Sequence, residues 1–294
     1  MGYSGSFPFA LAMLVAVTAV PPVRADNIGA DLETAQGLFN SQRQAPAVLE
    51  QVIASMRDAA VRADDATQKY AAYLLLSQAI YFKGMHLPES DSSGRKTTFL
   101  QGLDACQQGI NVAKASLGDQ RAECYYYKSI NLGRWGEANG TYSPGTIARR
   151  HEYRRGVIDA MNFRRAEGSD DALVGANGQP VLRHTADGAS GVSYEGNGPY
   201  RAMARMYFKL PPMFGRDLPR SETMLRDCVR LAPRFASNHT YLAETLWEED
   251  KQDEARDVLR RLLANDEATF NPDRVAETHD EFNDARRLLR SYGG

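Results

Sequence analysis

The chain has 294 residues, 43% hydrophobic and 24% charged, the balance of a globular protein long enough to bury a sizeable core. Its formal net charge of −2 lacks the basic excess of a phosphate-binding face, so no nucleic-acid partner is expected. Three cysteines, Cys106, Cys124 and Cys228, leave at least one thiol unpaired in an oxidising compartment.

Residues 1–25 read as an export signal. Phe7 to Val20 is an apolar run too short to cross a bilayer comfortably, Pro21-Pro22 break it, and Val23-Arg24-Ala25 puts small residues where a signal peptidase reads. Met1 to Ser6 carries no Lys or Arg, which departs from the usual positive start. Cleavage is expected after Ala25. No cysteine lies near that point to take a lipid, so export of an unlipidated domain spanning 26–294 is expected.

Beyond Ala25 almost every segment has helical periodicity. Asp31 to Asn40 and Ala45 to Ala63 make a first hairpin, with Pro46 where the first helical turn tolerates proline. Ala66 to Met85 follows, then a polar turn from Pro88 to Gly94. The apolar stripe of Phe99, Leu103, Cys106, Ile110, Ala113 and Leu117 marks a partner helix. Arg121 to Glu137 is the next helix, ended by Asn139-Gly140, although Lys128 stands where a large apolar residue belongs. Thr146 to Ala166 continues as a helix with Tyr153, Val157 and Met161 on one face. The stretch 167–198, rich in Gly, Asp and Ser, carries an Asn177-Gly178 hairpin signal between short apolar pairs. It reads as an irregular insert forming a partly ordered flap.

The clearest pattern lies between Gly196 and Ala264. Tyr200, Met203, Ala204 and Tyr207, and again His239, Leu242, Ala243 and Leu246, follow the large–large–small–large register of a tetratricopeptide first helix. Ser221 with Leu225 and Ala255 with Leu259 fit the second helices, and Pro233 ends the first of these repeats. Tyr73, Leu76, Ser77 and Ile80 share the register, and Tyr125, Ser129 and Leu132 share it in part. The intervals are unequal and depart from the standard repeat of about 34 residues. Leu210 to Gly215 lengthens one turn. At the end, Asn271 is placed to cap a helix that Pro272 opens. That helix has an apolar stripe of Val275, Phe282, Ala285 and Leu289, and Arg286, Arg287 and Arg290 lie on its solvent side. The expected fold is all-α: a tetratricopeptide-like helical-repeat array, or α-solenoid, with a C-terminal capping helix. Within it Cys106 and Cys228 read as small buried hydrophobes, and a Cys106–Cys124 bridge stays open.

Catalytic patterns are thin. His151-Glu152 begins like a helical zinc site, but Arg155 stands where the second histidine belongs. The histidines are scattered, and Gly196-Asn197-Gly198 lacks a third glycine at nucleotide-loop spacing. No enzyme activity, metal or cofactor is expected. Arg149-Arg150 with Arg154-Arg155 read as a solvated face.

The concave side of such an array is lined by the first helix of each hairpin, at the position after the aromatic and then four and seven further on. This selects Leu74, Gln78 and Tyr81; Tyr126, Ile130 and Gly133; Arg201, Arg205 and Phe208; and Thr240, Glu244 and Trp247. Aromatic rings beside two arginines one turn apart suit an anion with an apolar body. The candidate ligand residues are therefore Tyr81, Tyr126, Arg201, Arg205, Phe208, Glu244 and Trp247. The opposing reading is that Tyr126 and Phe208 pack core and that Glu244 neutralises both arginines. As exposed groove charges, Arg201 and Arg205 should together cost on the order of 1 kcal/mol or less on removal. Two functions fit: a scaffold that holds a small solute in an enclosed aromatic site, which the mix of Tyr81, Tyr126, Phe208 and Trp247 favours, with the alternative of an envelope adaptor that grips an extended polypeptide in an open groove.

The run Tyr125-Tyr126-Tyr127 to Asn131-Leu132-Gly133-Arg134-Trp135, then Gly198-Pro199-Tyr200-Arg201 with Tyr207, then Leu210-Pro211-Pro212 before Phe214-Gly215-Arg216-Asp217, and finally Asn238-His239 before Leu242-Ala243-Glu244, resembles the T component (TatT family) of tripartite ATP-independent periplasmic transporters. The similarity runs over roughly 70–264. It implies a periplasmic helical-repeat scaffold that can form a homotrimer and that docks a periplasmic solute-binding protein or holds a hydrophobic small-molecule ligand. The chain departs from many members in lacking a lipid-bearing cysteine and in its longer 167–198 insert.

Overall fold

The computed structural model describes residues 27–117, 122–162 and 194–294. The signal segment 1–25, the hairpin within the 167–198 insert and its role as a flap all fall outside the described residues.

The fold is an all-α array. Among the described residues thirteen α-helices run in order: α1 (Ile28–Gln42), α2 (Pro46–Arg62), α3 (Ala66–His86), α4 (Ser92–Ser116), α5 (Ala122–Asn139), α6 (Pro144–Ala148), α7 (Arg150–Asn162), α8 (Tyr194–Lys209), α9 (Leu218–Leu231), α10 (Ala236–Glu248), α11 (Gln252–Leu263), α12 (Glu267–Phe270) and α13 (Val275–Ser291). Local chemistry sets many of the starts. Asn27, Asp65, Asp91, Ser143, Asp217 and Asp266 each accept a hydrogen bond from a backbone N–H of the helix they precede. Pro46, Pro144 and Pro219 occupy first-turn positions where no N–H is needed.

Five hairpins result: α1/α2, α3/α4, α5/α7, α8/α9 and α10/α11, with α13 where a sixth first helix would stand. Each first helix packs on both helices of the hairpin before it, down to α13 on α10 and α11. That nearest-neighbour pattern defines a solenoid. The register carries it: Met203, Ala204, Leu242, Ala243, Leu246, Ser221, Leu225, Ala255 and Leu259 are all buried, as are Leu76, Ser77 and Ile80. The small members let neighbouring helices approach while the large ones fill the space between them. Apolar burial at about 25 cal/mol per Å² is what holds such an array together. Lys128, the misfit in its register, is half-buried and reaches Gln107 at 2.9 Å and Glu152 at 3.5 Å, so its charge is not stranded.

The structure corrects several expectations. The helix expected over 146–166 is two helices, because Ser143 and Pro144 start α6 early and Arg149 leaves helical geometry at φ −90°, ψ 0°. Val275 is 52% exposed and lies off the apolar stripe of α13, whereas Phe282 and Ala285 are buried on it. Asn271 does not cap α13. A turn of 3-10 helix, Pro272–Arg274, intervenes, and the Asn271 side chain instead donates to the carbonyl of Arg234 at 2.9 Å. Cys106 and Cys124 are both buried and unbonded to each other, as is Cys228. Cys106 donates to Ser77 Oγ at 2.8 Å.

The two ends of the array meet. Arg43, in the turn between α1 and α2, makes a bidentate ion pair with Glu277 of α13, and both side chains are buried. Gln44 beside it bonds His86, the last residue of α3, at 2.8 Å. This seam joins the first hairpin to the cap and bounds the concave side.

Candidate functional site

Curling the first helices around one axis leaves a cavity of about 650 Å³ on the concave side. It is lined by the C-terminal end of α3 (Tyr81, Phe82, Met85, His86), by α5 (Tyr126, Ile130, Gly133, Arg134, Glu137), and by Arg149, Arg150 and Tyr153 around the α6–α7 break. The far wall is α8 (Gly198, Arg201, Arg205, Met206, Lys209), α10 (Ser237, Thr240, Tyr241) and α13 (Glu277, Asp280, Glu281, Asp284). On α8 and α13 the lining residues recur every three or four positions, as one face of a helix must.

Of the candidate residues, Tyr81, Tyr126, Arg201 and Arg205 line this cavity. Phe208, Glu244 and Trp247 do not. Phe208 lies under Arg205, 4.8 Å from guanidinium carbon to ring centroid. Trp247 stacks flat on Tyr292 of the cap at 3.9 Å. Glu244 makes a bidentate pair with Arg205 at 2.7 and 3.2 Å, so half of the opposing reading holds. The other half does not, because Arg201 is satisfied elsewhere. It donates to Asn238 Oδ1 at 2.9 Å and to the Gly196 and Glu195 carbonyls at 3.3 and 3.5 Å.

Arg201 is only 8% exposed, which overturns its reading as an exposed groove charge. It anchors an unusual backbone. Glu195, Gly196 and Asn197 all sit in the left-handed region, at φ 54°, 57° and 65°, before α8 proper begins. Each such non-glycine residue costs of order 1–2 kcal/mol. Arg201 and Asn238 hold the turn by binding its carbonyls, Asn238 Nδ2 donating to Gly196 O at 3.4 Å. Glycine is needed at 198, since a Cβ there would stand 2.7 Å from the Tyr126 ring. The turn also sends Glu195 into the cavity, 3.9 Å from Arg274.

Several lining residues escaped the sequence reading. Arg149 and Arg150 are at the cavity edge and not on a solvated face, because the α6–α7 break turns them inward: Arg149 lies 5.1 Å over the Trp135 ring. Arg286, on the opposite side of α13 from its carboxylate stripe, pairs with Glu267 of α12 at 2.5 Å and leaves that stripe toward the cavity. The carboxylate spacing was visible as a second stripe on the cap. Tyr153 and Tyr241 complete an aromatic wall around Arg134, and the Tyr153 hydroxyl donates to the Ala202 carbonyl at 2.8 Å.

Electrostatically the site is divided. Burial raises the phenols of Tyr153 and Tyr241, and pushes Tyr126 up to about 12, so all three are neutral donors. Burial also pushes Glu137 up, but Arg134 at 2.8 Å more than offsets this and holds its carboxyl below the usual range. Burial raises Glu281, against the pull of Arg274 and Arg201. Burial likewise lowers Lys209, and Arg205 adds repulsion. No cluster of metal-ligating side chains occurs among the described residues.

No protein-family model matches the sequence, and no curated protein matches it. Among solved structures, the crystal structure of yeast Tom70 is similar over 92% of this chain, at 11% identity and a TM-score of 0.28. The chain spans 59% of that protein's length. The helical-repeat fold implied by the transporter resemblance is the fold observed, while membership of that family gains no match.

Proposed function

We propose that this chain is a non-enzymatic interaction protein that holds a segment of polypeptide in the cavity on its concave face. One observation carries this reading: the lining presents charged and hydrogen-bonding side chains at regular helical spacing on α5, α8 and α13, interleaved with aromatic rings. Main-chain amides and mixed side chains suit such a surface, and helical-repeat arrays offer it along an extended path. The signal-like segment 1–25 supports placing the protein in the periplasm as an envelope adaptor. No described helix is long and apolar enough to cross a membrane.

A second reading, the solute-holding role implied by the resemblance, is favoured by the closed seam at Arg43 and Glu277 and by the ring of Tyr81, Tyr126, Tyr153 and Tyr241. One experiment separates the two. A photo-reactive phenylalanine analogue at Ile130, in protein expressed in its own host, should capture polypeptide. Met206→Trp, which puts an indole into the cavity, should abolish that capture. Capture of polypeptide unaffected by Met206→Trp would place partners elsewhere on the surface. A small-molecule adduct alone would favour the solute reading.

A further inference from the structure

Most cations around the cavity are already neutralised. Arg134 pairs with Glu137, Arg149 with Glu152 and Arg205 with Glu244, at 2.8, 2.8 and 2.7 Å. Two are not. Lys209 makes no hydrogen bond or ion pair among the described residues; it lies 5.5 Å over the Phe208 ring and in the field of Glu137 and Glu244. Arg150 donates to the carbonyl of Ile147 at 2.8 Å and lies 5.4 Å over Phe214, with no carboxylate partner among the described residues. Both belong to one end of the cavity, since Phe214 lies in the turn that follows Lys209. The same turn carries Met213, 82% exposed, beside the exposed Phe214. Burial first, and the repulsion of Arg205 second, lower the Lys209 ammonium, while Glu137 and Glu244 pull the other way.

The opposite end has the opposite chemistry. Ser237 is 8% exposed and lines the cavity, and its hydroxyl, near Glu281, completes no hydrogen bond among the described residues. Its backbone N–H donates to Glu281 at 3.1 Å, on the α13 stripe that also carries Asp280; the flanking Glu277 and Asp284 are already paired, with Arg43 and with Arg287 at 2.7 Å. Helix α8 measures the separation. Arg201 lies in the field of Glu281, and Lys209 is eight residues on, about 12 Å at 1.5 Å per residue. An extended polypeptide covers that span in about four residues.

We propose that the cavity is a bipolar site. Lys209 and Arg150 form an anion subsite for side-chain carboxylates of the bound segment. Ser237 and the α13 stripe take a cationic side chain about four residues away. The inference rests on the polypeptide reading above and names the class of segment that fits: acidic at one end, basic at the other, apolar between.

Three fluorescent heptapeptides, capped at both ends and sharing a Leu-Tyr-Leu centre, test it by anisotropy. One has two Glu before the centre and two Lys after it, the second has the Glu pair and two Gln, and the third has Gln throughout. The bipolar peptide should bind tightest and the neutral one weakest. Lys209→Met with Arg150→Met should weaken the two acidic peptides about tenfold, leave the neutral one unchanged and leave the melting temperature unchanged. Asp280→Asn should weaken the bipolar peptide alone. If the Lys209/Arg150 variant binds both acidic peptides as the wild type does, the anion subsite is refuted while polypeptide binding stands. Equal affinity for all three peptides refutes the bipolar site in the same way. If none of the three binds, the polypeptide reading itself fails.

Discussion

Replacing Glu277 by glutamine should strike the seam that joins the two ends of the array. Arg43 and Glu277 are 234 residues apart, and their side chains are 8% and 10% exposed. Arg43 also donates to the Asn40 carbonyl at 3.2 Å and lies 5.6 and 5.5 Å over the rings of Phe39 and Phe82. Glutamine keeps the shape and removes the charge, so a buried guanidinium is left without its counter-ion. Breaking a buried pair in this way costs about 3–5 kcal/mol. At roughly 2–4 °C per kcal/mol for a chain of this size, the melting temperature should fall by roughly 6–20 °C. Because the pair links terminal units of a nearest-neighbour array, the transition should also broaden as the ends come apart first. Thermal and urea unfolding followed at 222 nm measure both effects. A double change, Arg43→Met with Glu277→Leu, removes both charges and should recover to within about 1 kcal/mol of the wild type. A Glu277→Gln loss below 1 kcal/mol, or a double variant that costs the sum of its singles, would refute this view of the seam.

Arg201→Ala should cost about 2–4 kcal/mol in urea unfolding, since it strips hydrogen bonds from Asn238 and from the left-handed turn at Glu195 and Gly196. A loss near zero would return it to the status of a free groove charge. Asp250 holds φ 62° just past α10, so Asp250→Gly should stabilise by about 0.5–1 kcal/mol, read as a raised melting temperature. Burial lowers His239, whose ring bonds the Pro233 carbonyl at 2.8 Å. Its folded pKa lies below the unfolded value near 6.5, so the unfolded state takes the proton first. This contribution to stability is intact above about pH 6.5 and is lost as pH falls toward the folded pKa. Melting temperatures at pH 7.5 and 5.5 should therefore differ less for His239→Asn than for the wild type, and an equal difference would remove His239 from the acid response.

Architecture was legible because packing in this fold is local. The register of Tyr200 to Tyr207 or of His239 to Leu246 encodes contacts with helices adjacent in sequence, and periodicity alone reveals them. The site was legible only where it obeyed the same rule, which is why Tyr81, Tyr126, Arg201 and Arg205 were found on the cavity wall. Trp247 sits further along α10 than the cavity reaches, and Phe208, between the lining residues Arg205 and Lys209, packs against the Arg205 guanidinium instead. Arg149 and Arg150 needed the α6–α7 break to be placed, and periodicity reads straight through a break. The inward carboxylates of α13 and the Arg43–Glu277 seam depend on superhelical closure, a property of all the hairpins together that no single window of sequence carries.

The most direct measurement is a crystal structure of the protein isolated from its own host with its occupant in place. Continuous main-chain density should run through the cavity, with a cationic side chain beside Asp280 and Ser237 and a carboxylate on Lys209 and Arg150 about 12 Å away. A compact small molecule against the tyrosine wall, or a polypeptide seated on the convex helices with the cavity holding only water, would contradict it.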